Sequence, residues 1–166
     1  MLSCKWTVKY MISSRGNILW IDDEIEHLKP HILFLEEKGY KITQARNGYD
    51  ALELSMVNAY DLILLDQSMP GMDGIEILTK LKEQNKSYVV IMITKTEDEW
   101  LMNEAITEQV EQFLTKPVNP SQIFMACKQV LEKNKIRQDS DTSKYLSEFQ
   151  NIELNLGNKK TVDDWY

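Results

Sequence analysis

Asp66 has the residue type and the position of a chemically active carboxylate. It ends the apolar run Leu62-Ile63-Leu64-Leu65, and a turn rich in proline and glycine follows it. Four apolar residues in a row predict a buried strand. The turn would then hold the carboxylate at the edge of a sheet, where open α/β sheets keep their ligand sites. The chemistry at Asp66 therefore depends on which side chains the other strands bring to that edge.

Polar residues also follow the other apolar runs: Asp22 and Asp23 the first, Thr94 a later one, and Lys116 the last. Three carboxylates at one edge would repel one another and resist ionising together without a cation. Oxygen ligands of this kind suit Mg²⁺, or Mn²⁺ in its place. A hydroxyl and a lysine facing them can hold the oxygens of a phosphoryl group. An aspartate nucleophile, a divalent ion and a lysine together predict a phosphoryl-transfer site.

The periodicity of the chain predicts the elements that would position these side chains. Apolar runs and amphipathic helical stretches alternate five times. The predicted strands are Asn17–Asp22, Tyr40–Gln44, Asp61–Asp66, Val89–Thr94 and Glu111–Thr115. The predicted helices are Glu26–Lys38, Tyr49–Asn58, Gly74–Gln84, Asp98–Thr107 and Asn119–Glu132. This (βα)5 pattern predicts an α/β fold with a doubly wound parallel sheet in the order 2-1-3-4-5, whose strands all end at one edge.

The two ends of the chain differ from this region. Residues 1–16 form a predicted N-terminal extension that lacks the apolar core of a signal peptide, and Met11 is an alternative start to Met1. The polar residues 134–144 predict a linker after a domain over 17–133. Residues 145–166 predict the start of a helical extension with apolar residues at helical spacing, namely Tyr145, Phe149, Ile152 and Leu156. A helix-capping pattern at Thr161, close to the last residue, suggests a truncated chain.

The composition limits the function classes. The net charge of −7 argues against nucleic acid or an anionic membrane as the main partner. No apolar run is long enough to span a membrane. Cys4 and Cys127 form no CxxC motif, which favours a reducing cytoplasm and gives no zinc site. We therefore expect a cytoplasmic protein without direct nucleic-acid or membrane contacts.

Residues 17–133 resemble the receiver domain of two-component response regulators. The resemblance rests on four elements in the order and spacing of that family: Ile21-Asp22-Asp23-Glu24, Leu65-Asp66-x-x-Met69-Pro70-x-x-x-Gly74, Thr94, and Lys116-Pro117. It implies a CheY-like, flavodoxin-like fold with a C-terminal helical extension. It also implies a phosphoprotein of a phosphorelay, with at most slow autodephosphorylation, and not an enzyme.

The resemblance assigns the acceptor and the metal ligands. It implies that Asp66 takes a phosphoryl group from a sensor histidine kinase or a phosphotransfer protein. It further implies that Asp22, Asp23 and Asp66 hold Mg²⁺ or Mn²⁺ together with the backbone carbonyl of Ser68.

The resemblance also implies a conformational switch. Thr94 and Lys116 would bind the phosphoryl group, the Lys116–Pro117 bond would be cis, and Phe113 would be the aromatic residue that turns. A phosphoryl group adds about 1.5 to 2 negative charges. The face formed by the fourth helix, the fifth strand and the fifth helix would then change shape, and it is the expected surface of a homodimer.

Three positions depart from the common pattern of the family. Lys95 stands where a small residue is usual and would restrict phosphoryl access or add positive charge near it. Ser68 and Thr96 flank the route by which water reaches a phosphoaspartate. These residues leave the lifetime of the phosphorylated state open.

A closer resemblance is to Bacteroidetes response regulators of the PorX type. It rests on the segments 28–35, 116–120 and 145–166. It implies an N-terminal piece of a protein in which a receiver and a helical bundle precede a PglZ domain, in a system linked to type IX secretion.

Two other function classes compete with the receiver. A phosphohydrolase with an aspartyl-phosphate intermediate usually has a second aspartate two residues after the nucleophile, where this chain has Ser68. A flavodoxin-like cofactor binder needs a phosphate-cradling loop after the first strand, where Asp22-Asp23-Glu24 would repel phosphate.

Some residues have plain structural interpretations beside functional ones. His27 and His31 have the i, i+4 spacing of metal ligands but lack a third ligand, so a solvated helix face is favoured. Trp100 is equally well interpreted as a docking residue or a packing residue. Cys127 is expected to be a small buried side chain.

Overall fold

The computed structural model describes residues 14–95 and 109–157. Within these ranges the strands are β1 (Gly16–Ile21), β2 (Tyr40–Ala45), β3 (Leu62–Asp66), β4 (Val90–Thr94) and β5 (Gln112–Thr115). The helices are α1 (Lys29–Glu37), α2 (Gly48–Val57), α3 (Gly74–Gln84) and a C-terminal helix (Pro120–Gly157). A short 3-10 helix covers Ile25–Leu28.

The strands form one parallel sheet in the order β2-β1-β3-β4-β5, which confirms the predicted fold and strand order. Because the strands are parallel, their C-terminal ends lie at the same edge. The register places Asp66 opposite Ile93 and Thr94 opposite Thr115. The polar residues at the ends of β3 and β4 are therefore close neighbours.

The side chains of the central strands alternate between two cores, one on each face of the sheet. Residues such as Leu19, Leu65 and Met92 face a core that they share with α2 and α3. Trp20, Leu64 and their neighbours face a second core with α1 and the first turns of the C-terminal helix, which include the fully buried Cys127. Burial on both faces explains why these strands are runs of continuous apolar residues and do not alternate with polar ones.

The helix predicted over Glu26–Lys38 begins three residues later than expected. The α-helix starts at Lys29, and the preceding residues form the 3-10 helix. Pro30 explains the difference, because its ring would clash with the carbonyl of Glu26 in a continuous α-helix. In the structure Pro30 is the second residue of α1, where the missing N–H has no intrahelical partner to lose.

The polar stretch 134–144, predicted as a linker, is helical. It lies within the C-terminal helix Pro120–Gly157, which was expected to end at Glu132. The stretch contains no glycine or proline, and its lysine, arginine and glutamine residues are good helix formers. The low hydrophobicity of residues 134–144 therefore does not mark the end of this helix. The chain divides into two compact units, Met1–Leu131 and Glu132–Tyr166.

Several predictions concern residues outside the described ranges. They are the start at Met1 or Met11, the helix Asp98–Thr107 with Trp100, the effect of Thr96, and the capping pattern at Thr161. In the second unit Tyr145 is 65% exposed, and the side chains after residue 147 also lie outside the description. Across the described part of the chain, no helix combines the length and the apolar character needed to cross a bilayer.

Leu65→Ala is expected to lower the free energy of unfolding by about 2–5 kcal/mol, because Leu65 is 0% exposed within the core on the α3 side. Leu33→Ala removes the same atoms from a side chain that is 58% exposed. It should change the free energy by less than about 0.5 kcal/mol. Urea denaturation measures both variants, and equal losses would contradict the burial of Leu65.

Candidate functional site

Three carboxylates meet at the C-terminal edge of the sheet. Asp66 is the last residue of β3 and Asp22 follows β1; they are 2% and 1% exposed. Asp23, next to Asp22, is exposed. Each of the three offers one carboxylate oxygen, and these oxygens lie within 4.8 Å of one another. The structure thus brings together the three carboxylates that the sequence proposed as metal ligands.

Lys116 places a positive charge among these carboxylates. It follows β5, and its Nζ atom lies 2.9 Å from Oδ1 of Asp66 and 3.4 Å from Oδ2 of Asp22. Burial alone would lower the pKa of Lys116, but the hydrogen bond to Asp66 and the two carboxylate charges outweigh it and raise the pKa. The lysine is therefore held in its charged form. The Lys116–Pro117 bond is cis, as predicted.

One lysine does not neutralise the site. Burial raises the pKa of the Asp66 carboxyl above its ordinary value, the contact with Lys116 lowers it, and the charge of Asp22 raises it further. The net shift is upward. Two buried carboxylates that share one cation hold a surplus of negative charge in a poorly solvated place.

Backbone hydrogen bonds hold the buried Asp22. Its N–H donates to the Ala45 carbonyl at 3.1 Å, and its Oδ1 accepts from the Glu24 N–H at 2.8 Å. At Asp66 an interaction with the Ser68 backbone lowers the pKa of the carboxyl, against the larger opposite effect of burial. Carboxylate oxygens held by main-chain donors keep their orientation because the backbone around them is fixed.

Gly74 permits the close packing of α3 against the end of β3. A Cβ atom at this position would lie 2.6 Å from the Asp66 carbonyl oxygen and 2.7 Å from the Gln67 Cα. The Gly74 N–H donates to the Gln67 carbonyl at 2.9 Å. The side chain of Asp73 caps α3 by accepting from the Glu76 N–H. The spacing between Asp66 and Gly74 in the sequence thus reflects a steric requirement directly behind Asp66.

Thr94 lies at the same edge but bonds a residue that the sequence did not single out. It is 0% exposed, and its hydroxyl donates to Oε1 of Gln67 at 2.5 Å. The only sequence signal for Gln67 is its place directly after Asp66. Its pairing with Thr94 depends on the register of β3 and β4, which a single sequence does not specify.

The remaining predicted residues surround this centre. Phe113 is partly buried against the core on the α3 side and lies opposite Met92 in the sheet. The side chains of Ser68 and Lys95 are exposed. The structure therefore places Phe113 two positions before the end of β5 and leaves both exposed side chains at the solvent side of the edge.

Neither histidine belongs to a cluster of three or more metal-binding side chains among the residues that the structure describes. Among the described residues, the cluster of His, Cys, Asp and Glu side chains able to share one ion is Asp22, Asp23 and Asp66. His31 is not on a solvated face as expected, since its ring packs edge-on against Trp20 with centroids 6.4 Å apart, and its Nε2 lies 3.0 Å from the Val118 carbonyl oxygen. Only His27 is exposed.

The chemistry of the donor set fits a hard divalent cation. Three carboxylate oxygens, two of them from buried residues, are the ligands that Mg²⁺ prefers. A second positive charge would relieve the repulsion that raises the pKa of Asp66. With such a cation bound beside Lys116, the arrangement could receive a group that carries several oxygens and negative charge.

Comparison with known sequences agrees with this geometry. The family model described as the response regulator receiver domain matches residues 18–128. The transcriptional regulatory protein SrrA of Staphylococcus aureus is 32% identical over 152 residues, which cover 90% of this chain. The same match covers 63% of SrrA, so the chain spans less than two thirds of that relative's length.

Solved structures give the same fold. A receiver domain protein from Clostridium thermocellum superposes with a TM-score of 0.65 at 27% identity, covering 73% of this chain and 98% of that one. The regulator TrrA of Thermotoga maritima, solved with Mg²⁺-BeF, has a TM-score of 0.61 at 27% identity and covers 69% and 97%. A CheY-like receiver from Methanospirillum hungatei, at 24% identity and a TM-score of 0.67, covers 75% and 99% and shows the fold alone.

Asp66→Asn is expected to raise the free energy of unfolding in metal-free buffer at pH 7, because it removes a charge that burial disfavours. The pKa of Asp66 is raised from 3.8 on folding, so the ionised carboxylate weakens the folded state above the raised pKa. The increase in the free energy of unfolding caused by Asp66→Asn should shrink as the pH falls from that raised pKa towards 3.8. Urea denaturation with EDTA across this range measures it; a gain independent of pH would contradict the assignment.

Proposed function

This chain belongs to the response regulator receiver family of two-component signalling, and we propose that Asp66 is its phosphoacceptor. The observation that carries the proposal is the contact of Lys116 Nζ with the buried Asp66 carboxylate at 2.9 Å, beside Asp22. A carboxylate that is buried, oriented and next to a cation is prepared to attack an electrophile and to keep the charged product.

The proposed donor is the phosphohistidine of a sensor histidine kinase or a phosphotransfer protein. A carboxylate oxygen of Asp66 forms a bond to phosphorus while the bond between phosphorus and the imidazole nitrogen breaks. The electron pair of that bond returns to the imidazole. Lys116 neutralises part of the charge that collects on the phosphoryl oxygens.

Asp22, Asp23, Asp66 and the backbone carbonyl of Ser68 are the proposed ligands of Mg²⁺ or Mn²⁺. The bound ion supplies positive charge for the phosphoryl oxygens. The proposal is supported by the three carboxylate oxygens that lie within 4.8 Å of one another. It also agrees with TrrA, a response regulator protein that was solved with Mg²⁺-BeF.

Thr94 and Phe113 are the proposed switch residues. The Thr94 hydroxyl would move to a phosphoryl oxygen, and Phe113 would turn towards the space that Thr94 leaves. Both residues lie on adjacent strands, with Thr94 paired to Thr115 and Phe113 to Met92. A phosphoryl group then stabilises one of two conformations through contacts that exist only in that conformation.

The output of the switch is a separate proposal. SrrA is a transcriptional regulatory protein, whereas the resemblance to PorX-type regulators implies a PglZ output. Both would be controlled by the same event at Asp66. Dimerisation through the face that includes β5 and the C-terminal helix is the proposed way in which that event reaches a partner.

Mg²⁺ is expected to raise the thermal unfolding midpoint of the wild type, because a ligand that binds only the folded state stabilises it by about 2.7 kcal/mol at one hundred times its Kd. Asp23→Asn should lose most of this rise, since Asp23 is exposed and its loss should leave the fold intact. Asp139→Asn, at another exposed aspartate, should keep it. Scanning fluorimetry at constant ionic strength compares them, and equal rises in all three would refute the metal site.

Acetyl phosphate with Mg²⁺ should add the mass of one phosphoryl group to the wild type and to Asp139→Asn. Asp66→Asn should gain nothing, because its amide cannot act as the nucleophile. Intact-protein mass spectrometry reads the result. An unmodified wild type, under conditions that label another receiver, or a labelled Asp66→Asn would show that Asp66 is not the acceptor.

A further inference from the structure

The hydroxyl of Thr94 is engaged by a neighbouring side chain. It donates to Oε1 of Gln67 at 2.5 Å, a short distance for a bond between a hydroxyl and an amide oxygen. Thr94 is 0% exposed, so this bond lies out of contact with bulk water. The bond therefore contributes to the arrangement in which the hydroxyl faces Gln67.

A threonine hydroxyl carries a single hydrogen. It cannot donate to Gln67 and to a phosphoryl oxygen on Asp66 at the same time. From this competition we infer that Gln67 is a positioning residue that holds Thr94 in the unphosphorylated arrangement. The inference rests on the proposed function, in which Thr94 binds the phosphoryl group. It adds Gln67 to the residues that control the response to that group.

The backbone of Gln67 is held on two sides, which fixes where its side chain starts. Its N–H donates to the Ile93 carbonyl at 3.0 Å, and its carbonyl accepts from the Gly74 N–H at 2.9 Å. Residue 93 directly precedes Thr94, so the first of these bonds ties Gln67 to the strand that carries the hydroxyl. The acceptor and the donor are thus held by the same pair of strands, β3 and β4.

Phosphorylation then exchanges one acceptor for another at Thr94. The bond to Gln67 opposes the exchange, and the bond to the charged phosphoryl oxygen favours it, because hydrogen bonds to ionised acceptors are stronger than those to amides. Gln67 accordingly lowers the occupancy of the switched conformation in the resting protein and weakens the apparent affinity for a phosphoryl group.

A double-mutant cycle tests this role. The probe is beryllium fluoride in the presence of Mg²⁺, and the dissociation constant is measured by titration calorimetry. Gln67→Met keeps the length of the side chain and removes the acceptor. It should bind the probe roughly fivefold more tightly than the wild type, the factor that corresponds to the loss of one ordinary hydrogen bond from the resting state.

The effect must depend on the hydroxyl of Thr94. In a Thr94→Val background Gln67→Met should change the dissociation constant by less than about twofold, because there is no longer a donor to release. In a Thr94→Ser background the full effect should return. A residue with a merely structural role would produce the same change in all three backgrounds, and that result would overturn the inference, as would unchanged or weaker binding by Gln67→Met.

Gln67→Ala provides a second variant if the methionine packs badly, and the thermal midpoint of each protein shows that it is folded. The binding of the wild type separates the two hypotheses. If the wild type binds beryllium fluoride in an Asp66-dependent way and Gln67 has no Thr94-dependent effect, only the role of Gln67 fails. If the wild type does not bind the probe at all, the proposed function fails and the role of Gln67 fails with it.

Discussion

The structure depends on one electrostatic constraint: two buried carboxylates share a single lysine. Lys116 lies 2.9 Å from Asp66 and 3.4 Å from Asp22, and exposed Asp23 adds a third negative charge close by. Burial and the charge of Asp22 raise the pKa of Asp66 despite its contact with Lys116. Surplus charge of this kind destabilises a folded protein unless a bound cation neutralises it. The same surplus charge is what a divalent ion would offset in the proposed phosphoryl-transfer site.

The parallel sheet makes this arrangement possible because it delivers side chains from separate strands to one edge. Continuous apolar runs bury β1, β3 and β4 on both faces, and this burial makes their ends rigid. Close packing at Gly74 then constrains the backbone at Asp66 and Gln67. This rigidity keeps the Lys116 amine 2.9 Å from the Asp66 carboxylate.

Much of this could be predicted from the order of residues. The apolar runs predicted the strands, and the alternation with helices predicted the parallel sheet and its strand order, since few topologies satisfy right-handed crossovers. Two predictions about helix ends were wrong. Pro30 moved the start of α1 to Lys29, and the polar residues 134–144 continued a helix that was expected to stop. Both errors have the same cause, because hydrophobic periodicity measures burial and only indirectly reports backbone geometry.

By itself the sequence determined the fold, the edge where the polar residues meet and the membership of Asp66, Asp22, Asp23, Thr94 and Lys116 in one site. These follow from local properties such as apolar runs, residue types and spacing. The tertiary structure alone decided that Thr94 bonds Gln67, that His31 packs on Trp20, and that Lys116 contacts both buried aspartates. Contacts of this kind depend on strand register and side-chain direction, so they are set only when separate segments pack together.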